Sequence, residues 1–184
     1  MAPSSQPAPP AQAAPPVVAA FFSEFIPKVK YEYELLEKAS DSPLKISLPD
    51  LQMETLIFGL HCLDRAVFVH YGAAYRNTFM DYAFATACET FAAVLPDNAR
   101  DHFIECFKEH CHTRQREYGA MKLLPGSDKG PKGVLSYEYG KRICFDAGVY
   151  NPAVVLVMVE EADAIFMMMN NVAQTLQPNS SKRM

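Results

Sequence analysis

The chain has 184 residues, a formal net charge of -4, 49% apolar and 21% charged residues, an ordinary globular balance with no general attraction to nucleic acid. That length suits one domain able to bury about two-thirds of the surface its unfolded form exposes, so a core needs no disulfide or metal staple. Trp is absent while Phe (12), Tyr (9) and Met (9) are plentiful, and no stretch reaches 18 consecutive apolar residues, which predicts no membrane span.

Residues 1–16 are nearly all Pro, Ala, Ser and Gln, too poor in apolar surface to offset the entropy of ordering, and are expected to form a disordered tail. The tail lacks the basic and apolar regions of a secretory signal. Five cysteines without a Cys-x-x-Cys pair point the same way, to a reducing cytoplasm, and no cofactor is expected in a chain without a motif that specifies a reaction. The folded domain is expected over 17–177, followed by a flexible end at 178–184. In its first helix Val18, Phe22 and Ile26 share a face with Phe21 and Phe25 beside them, until Pro27 restarts the helix; a charged amphipathic continuation should end near Ser40.

Ser47-Leu48-Pro49-Asp50 has capping-box spacing and opens a helix. The run Leu51–His70 is apolar almost all the way round, which places it inside a bundle, yet it carries His61, Asp64 and Arg65. Unpaired charges there would cost several kcal/mol, so these three are expected to form a buried polar network, with Arg76, Asp81, Arg114 or Glu160 as complements. Gly72 should end or kink the helix. A second helix then carries Phe79, Tyr82, Ala83 and Ala87 inward, and Leu95-Pro96-Asp97 breaks it.

Residues 97–118 read as a helix with Phe103, Cys106, Phe107 and Cys111 on its apolar stripe. Gly119–Gly133 is the longest expected internal loop. A short helix is expected over 134–147, and Asn151-Pro152 supplies cap and first-turn proline for a last helix ending near Leu176. The fold class is therefore all-α, a single-domain bundle of about six helices.

Four patterns invite chemistry. Glu105, Glu109 and His112 at i, i+4, i+7, with Glu54, His61, Asp64, Glu160 and Asp163 elsewhere, could build a metal site; but Glu-x-x-His occurs once, where di-iron bundles use it twice. Cys106, His110, Cys111 and His112 are crowded, but adjacent helix positions diverge by about 100° and cannot all converge on zinc. Cys62 beside His61, or Cys111 between two histidines, fails as a nucleophile and base for the same geometric reason. In PGSDKGPKGV, Gly130 precedes a proline that has no N–H for phosphate.

No motif thus specifies a reaction. The leading expectation is a non-catalytic interaction or assembly protein, joined to a protein partner or a second copy through apolar surfaces made by Phe21, Phe22, Phe25, Met167 and Met168. The alternative is a metal-dependent or small-ligand-binding helical enzyme centred on His61, Asp64, Glu109 and His112.

Overall fold

A computed structural model describes residues 9–93, 97–122 and 133–176. Within them lie six helices, α1 (Pro10–Glu24), α2 (Ile26–Ala39), α3 (Leu48–Ala92), α4 (Asp97–Gly119), α5 (Leu135–Ala147) and α6 (Pro152–Thr175), and no named strand. The chain is an all-α bundle as its sequence predicts. Residues 1–8, 94–96, 123–132 and 177–184 lie outside the described residues, and with them the expected break at Leu95-Pro96, most of the expected loop and the expected flexible end.

The expected tail is too long at its inner end. Helix α1 begins at Pro10, and Ala13 and Ala14 are buried in the common core. Pro10 occupies a first-turn position where no N–H partner is needed, and alanine is the strongest helix former. Composition hides the pattern that decides the matter: Ala13, Ala14, Val17, Val18 and Phe21 make one buried set. Phe25 alone separates α1 from α2, two residues before Pro27.

Helix α3 organises everything else. Its start is the capping box read from the sequence: Ser47 Oγ accepts from the Asp50 N–H, and the Asp50 carboxylate accepts from the Ser47 N–H. From Leu51 to Val67 nearly every residue is buried, because α1, α2, α4 and α6 all pack on α3. The contact with α1 is close enough to demand glycine. A Cβ on Gly59 would stand 2.5 Å from the ring of Phe21.

Gly72 interrupts α3 with φ 76° and ψ 176°, a region open essentially to glycine alone. Residues 64 and 76 would be about 18 Å apart on a straight helix. Instead Arg76 is bonded to Asp64, so the chain folds back at Gly72. The second arm carries Phe79, Ala83 and Ala87 inward as expected, whereas Tyr82 is 44% exposed. Phe91 stacks on Phe103 at 5.0 Å and holds the start of α4 against that arm.

The ends of the α4–α5 connection are pinned together, with Lys122 N–H donating to the Gly133 carbonyl and Leu135 N–H to that of Lys122. Asn151 caps α6 by accepting from the Ala153 N–H at 3.0 Å, as the Asn-Pro pair predicts. Helix α6 then runs beside the first arm of α3, with Tyr71 hydroxyl donating to the Ala173 carbonyl at 2.7 Å and His70 paired with Asn170 at 3.2 Å.

Candidate functional site

His61 and Asp64 are buried in the first arm and Arg65 is half-buried, but the three form no single network. Asp64 is gripped by Arg76 through two parallel hydrogen bonds, Nε to Oδ1 and Nη2 to Oδ2, the latter 2.7 Å. Arg65 turns the other way. Its Nη2 donates to the carbonyls of Tyr118, Gly119 and Met121 at 3.3, 3.1 and 2.9 Å, a cationic cap on the C-terminal end of α4.

His61 has neither. It is 4% exposed, and among the described residues neither ring nitrogen has a hydrogen-bond partner. Burial first, then the positive charges of Arg65 and Arg76, push its pKa down to about 4, so the imidazole is neutral. Its ring lies 5.5 Å from that of Tyr118, whose buried hydroxyl likewise has no partner among the described residues. Tyr118 in turn meets Phe58 edge-on at 5.8 Å, and Phe58 stacks on Tyr139 at 4.1 Å. Rings from α3, α4 and α5 therefore form one continuous set inside the core.

The polar centre that does assemble is one that helical periodicity does not announce. Glu54, 4% exposed, receives Arg114 Nη2 at 2.6 Å and Nε at 2.9 Å, and His110 Nε2 stands 2.7 Å from its Oε1. Arg114 also donates to Glu117 at 3.0 Å, which Arg142 reaches from α5 at 2.5 Å. Burial alone would lower the Arg114 pKa, but the hydrogen bonds and charge of Glu54 raise it. Burial works against the Glu117 carboxylate too, and the two arginines outweigh it and hold that pKa down. Three helices are tied by charge at one place.

A second carboxylate, Glu32 on α2, is 5% exposed. Burial, then the charge of Glu161, push its pKa up to about 7 against the opposing pull of Lys28. The Thr55 hydroxyl meets the Tyr139 hydroxyl at 2.9 Å, and burial first, then the charge of Glu32, raise the Tyr139 pKa well above its usual range.

The metal candidates come apart. Glu105, Glu109 and His112 are exposed on α4, Glu160 and Asp163 are exposed on α6, and Asp64 and Glu54 are taken by arginines. Among the described residues no group of three His, Cys, Asp or Glu side chains could hold a metal ion. The crowded zinc cluster also disperses: His110 turns to Glu54, while Cys106 Sγ lies 3.6 Å from His102. The centre on His61, Asp64, Glu109 and His112 is thereby corrected, since Glu109 and His112 are exposed on α4 while His61 and Asp64 are buried on α3.

The expected apolar surface needs correction as well. Phe21 and Phe25 are buried at 2% and 4%, stacked on each other at 5.5 Å, and Phe22 is partly buried 6.4 Å from Phe91. The helix that covers them, α3, leaves no trace in their local pattern. Met167 does face outward at 62% exposure, with Met168 partly buried and Met169 in the core. The large apolar residues left outside include Phe68 and Val69 beside Gly72, and Phe145 and Tyr150 in edge-on contact at 6.1 Å.

Two recesses accompany these features. One of about 440 Å³ lies at the Gly72 corner, lined by Asp64, Arg65, Phe68, Val69, Ala73 and Arg76. Another of about 380 Å³ lies between the second arm of α3 and α4, with Phe84, Cys88, Phe107, Cys111 and His112 among its lining residues. Burial raises the pKa of both thiols, that of Cys111 to about 12, so neither is a ready nucleophile. Among the described residues no helix is long and apolar enough to cross a membrane. Comparison with family models, curated proteins and solved structures finds no match.

Proposed function

We propose that this chain is a non-catalytic assembly module that joins a protein partner or a second copy of itself through apolar side chains left outside its core. One observation carries the reading: Phe68, Val69, Phe145, Tyr150, Leu156 and Met167 are each more than half exposed in a chain most of whose large apolar residues close around one core. The interior titratable groups add weight. Glu54 and Asp64 are tied to arginines, and the buried thiols are held protonated. Five free cysteines favour the cytoplasm as its compartment, and the net charge of -4 favours a protein over a nucleic-acid partner.

Light scattering across a concentration series tests the reading, on the wild type and on Phe68→Glu and Phe145→Glu. Concentration-dependent association should weaken at least tenfold in one of the two variants. Association indifferent to both charges, or a wild type that stays monomeric throughout and cross-links to nothing in its own lysate, would remove the reading.

The recess between α3 and α4 favours a second reading, a carrier of a small apolar ligand. An environment-sensitive apolar dye should bind there and be lost on Cys88→Phe, which fills the space; unchanged binding in that variant would discard the recess as the site.

A further inference from the structure

Gly72 is the single residue with non-helical φ and ψ inside the 45 residues of α3. One residue therefore separates a folded-back pair of arms from a continuous rod about 68 Å long. Glycine holds φ 76° and a helical φ with little steric preference, and nothing stands within 4 Å of where its Cβ would be. Both states are open to the same backbone.

The polar contacts that tie the two halves together across this point are noncovalent, and each joins a residue before Gly72 to one after it. Asp64 meets Arg76, Glu54 meets Arg114, Thr55 meets Tyr139, and Tyr71 meets the Ala173 carbonyl. If α3 straightened, every one of them could be made with the other half of a second copy. Closed and exchanged forms would then share their interiors and differ only at the hinge.

The hinge itself carries what the exchanged form would use. Phe68 and Val69 are 54% and 70% exposed, and Ala73 and Ala74 beside them are exposed too. On a continuous helix Val69, Ala73 and Arg76 fall on one side at i, i+4, i+7, with Phe68 adjacent. Two straightened α3 helices crossing about a two-fold axis would cover those apolar residues, which the monomer leaves in water.

We propose that two copies of this chain form a dimer by straightening α3 at Gly72 and exchanging their halves, so that Arg76 of one copy grips Asp64 of the other. The inference rests on the assembly reading above and narrows its partner to a second copy.

Gly72→Ala supplies the first test, because alanine strongly disfavours φ 76° and is the best helix former. Its dimer dissociation constant by light scattering should be about a hundredfold below that of the wild type. Asp64→Arg and Arg76→Asp supply the second. Each variant alone sets like charges against one another across the hinge, whether closed or exchanged with its own kind. In an exchanged heterodimer one lobe joins the two reversed charges and the other keeps the native pair. Unfolded together and refolded, the two variants should give almost only heterodimer by native mass spectrometry, far above the half expected from random pairing. Gly72→Ala remaining monomeric with its helix content intact, or refolded mixtures without an excess of heterodimer, would overturn the exchange. Should Gly72→Ala fail to fold, the charge-reversed pair decides alone. A wild type that associates while the refolded mixture stays random would defeat the exchange and leave the assembly reading standing; a wild type that never associates would defeat both.

Discussion

The first arm of α3 holds charge in two very different ways, and the contrast separates what fixes this fold from what can move. Around Glu54 the carboxylate has Arg114 and His110 from α4, and Arg114 is tied onward through Glu117 to Arg142 on α5. Nearer Gly72, one carboxylate meets one arginine from the same helix, and the recess beside them is open. A buried charge with several partners from different elements fixes their mutual position; a charge clamped by one partly exposed partner restrains a hinge without sealing it.

The largest effect should come from Glu54. Glu54→Ala leaves the Arg114 guanidinium largely buried with Glu117 as its remaining ion-pair partner among the described residues, and a loss of about 3–5 kcal/mol in urea-induced unfolding is expected. Asp64→Ala should cost far less, about 1 kcal/mol, because the Arg76 side chain is 34% exposed and water can take over its solvation. Equal losses in the two variants would erase the distinction between anchor and clamp.

Next in size is an opposed pair of pH effects. Glu32 has a folded pKa of about 7 against an ordinary carboxyl value of 4.5. Protonation thus favours the folded state, and that contribution is complete below pH 4.5 and lost as pH rises to 7. His61, at about 4 against 6.5, behaves in the reverse sense. Its contribution is complete above pH 6.5 and lost as pH falls to 4. Each is worth up to about 3 kcal/mol. Denaturant titrations should show Glu32→Gln gaining on the wild type from about pH 5 to 8, and His61→Phe gaining as pH falls from about 7 to 4. An unchanged difference between variant and wild type across either window would break the assignment for that residue.

Local signals in the sequence are reliable where the cause is local. Ser47 and Asp50, Asn151 and Pro152, and the break at Gly72 each act within a few residues, and each stands where its chemistry requires. The polar centre is not legible there, because Glu54 lies 56 and 60 positions from His110 and Arg114 and nothing in the periodicity pairs them. Arg76 is among the complements the sequence offers Asp64, but only a fold-back at Gly72 can deliver it, and a glycine announces a break without its direction. Exposure of Phe68 and Val69 is hidden for the same reason. They continue the apolar run of the first arm, and what uncovers them is the turn that follows at Gly72.

The smallest expected change in stability is the most specific probe of the hinge. Val69 is 70% exposed, so Val69→Lys removes little packing, and lysine is a better helix former than a β-branched residue. Unfolding free energy should stay within about 0.5 kcal/mol of the wild type. Self-association should fall at least tenfold if the face shared by Val69 and Ala73 is covered on assembly, since two lysines would then be brought together about the two-fold axis. A loss of stability without a loss of association would mean that Val69 belongs to the anchored part of the helix. Association lost at constant stability would place the boundary between fixed core and usable surface between Val67, fully buried, and Phe68, its exposed neighbour.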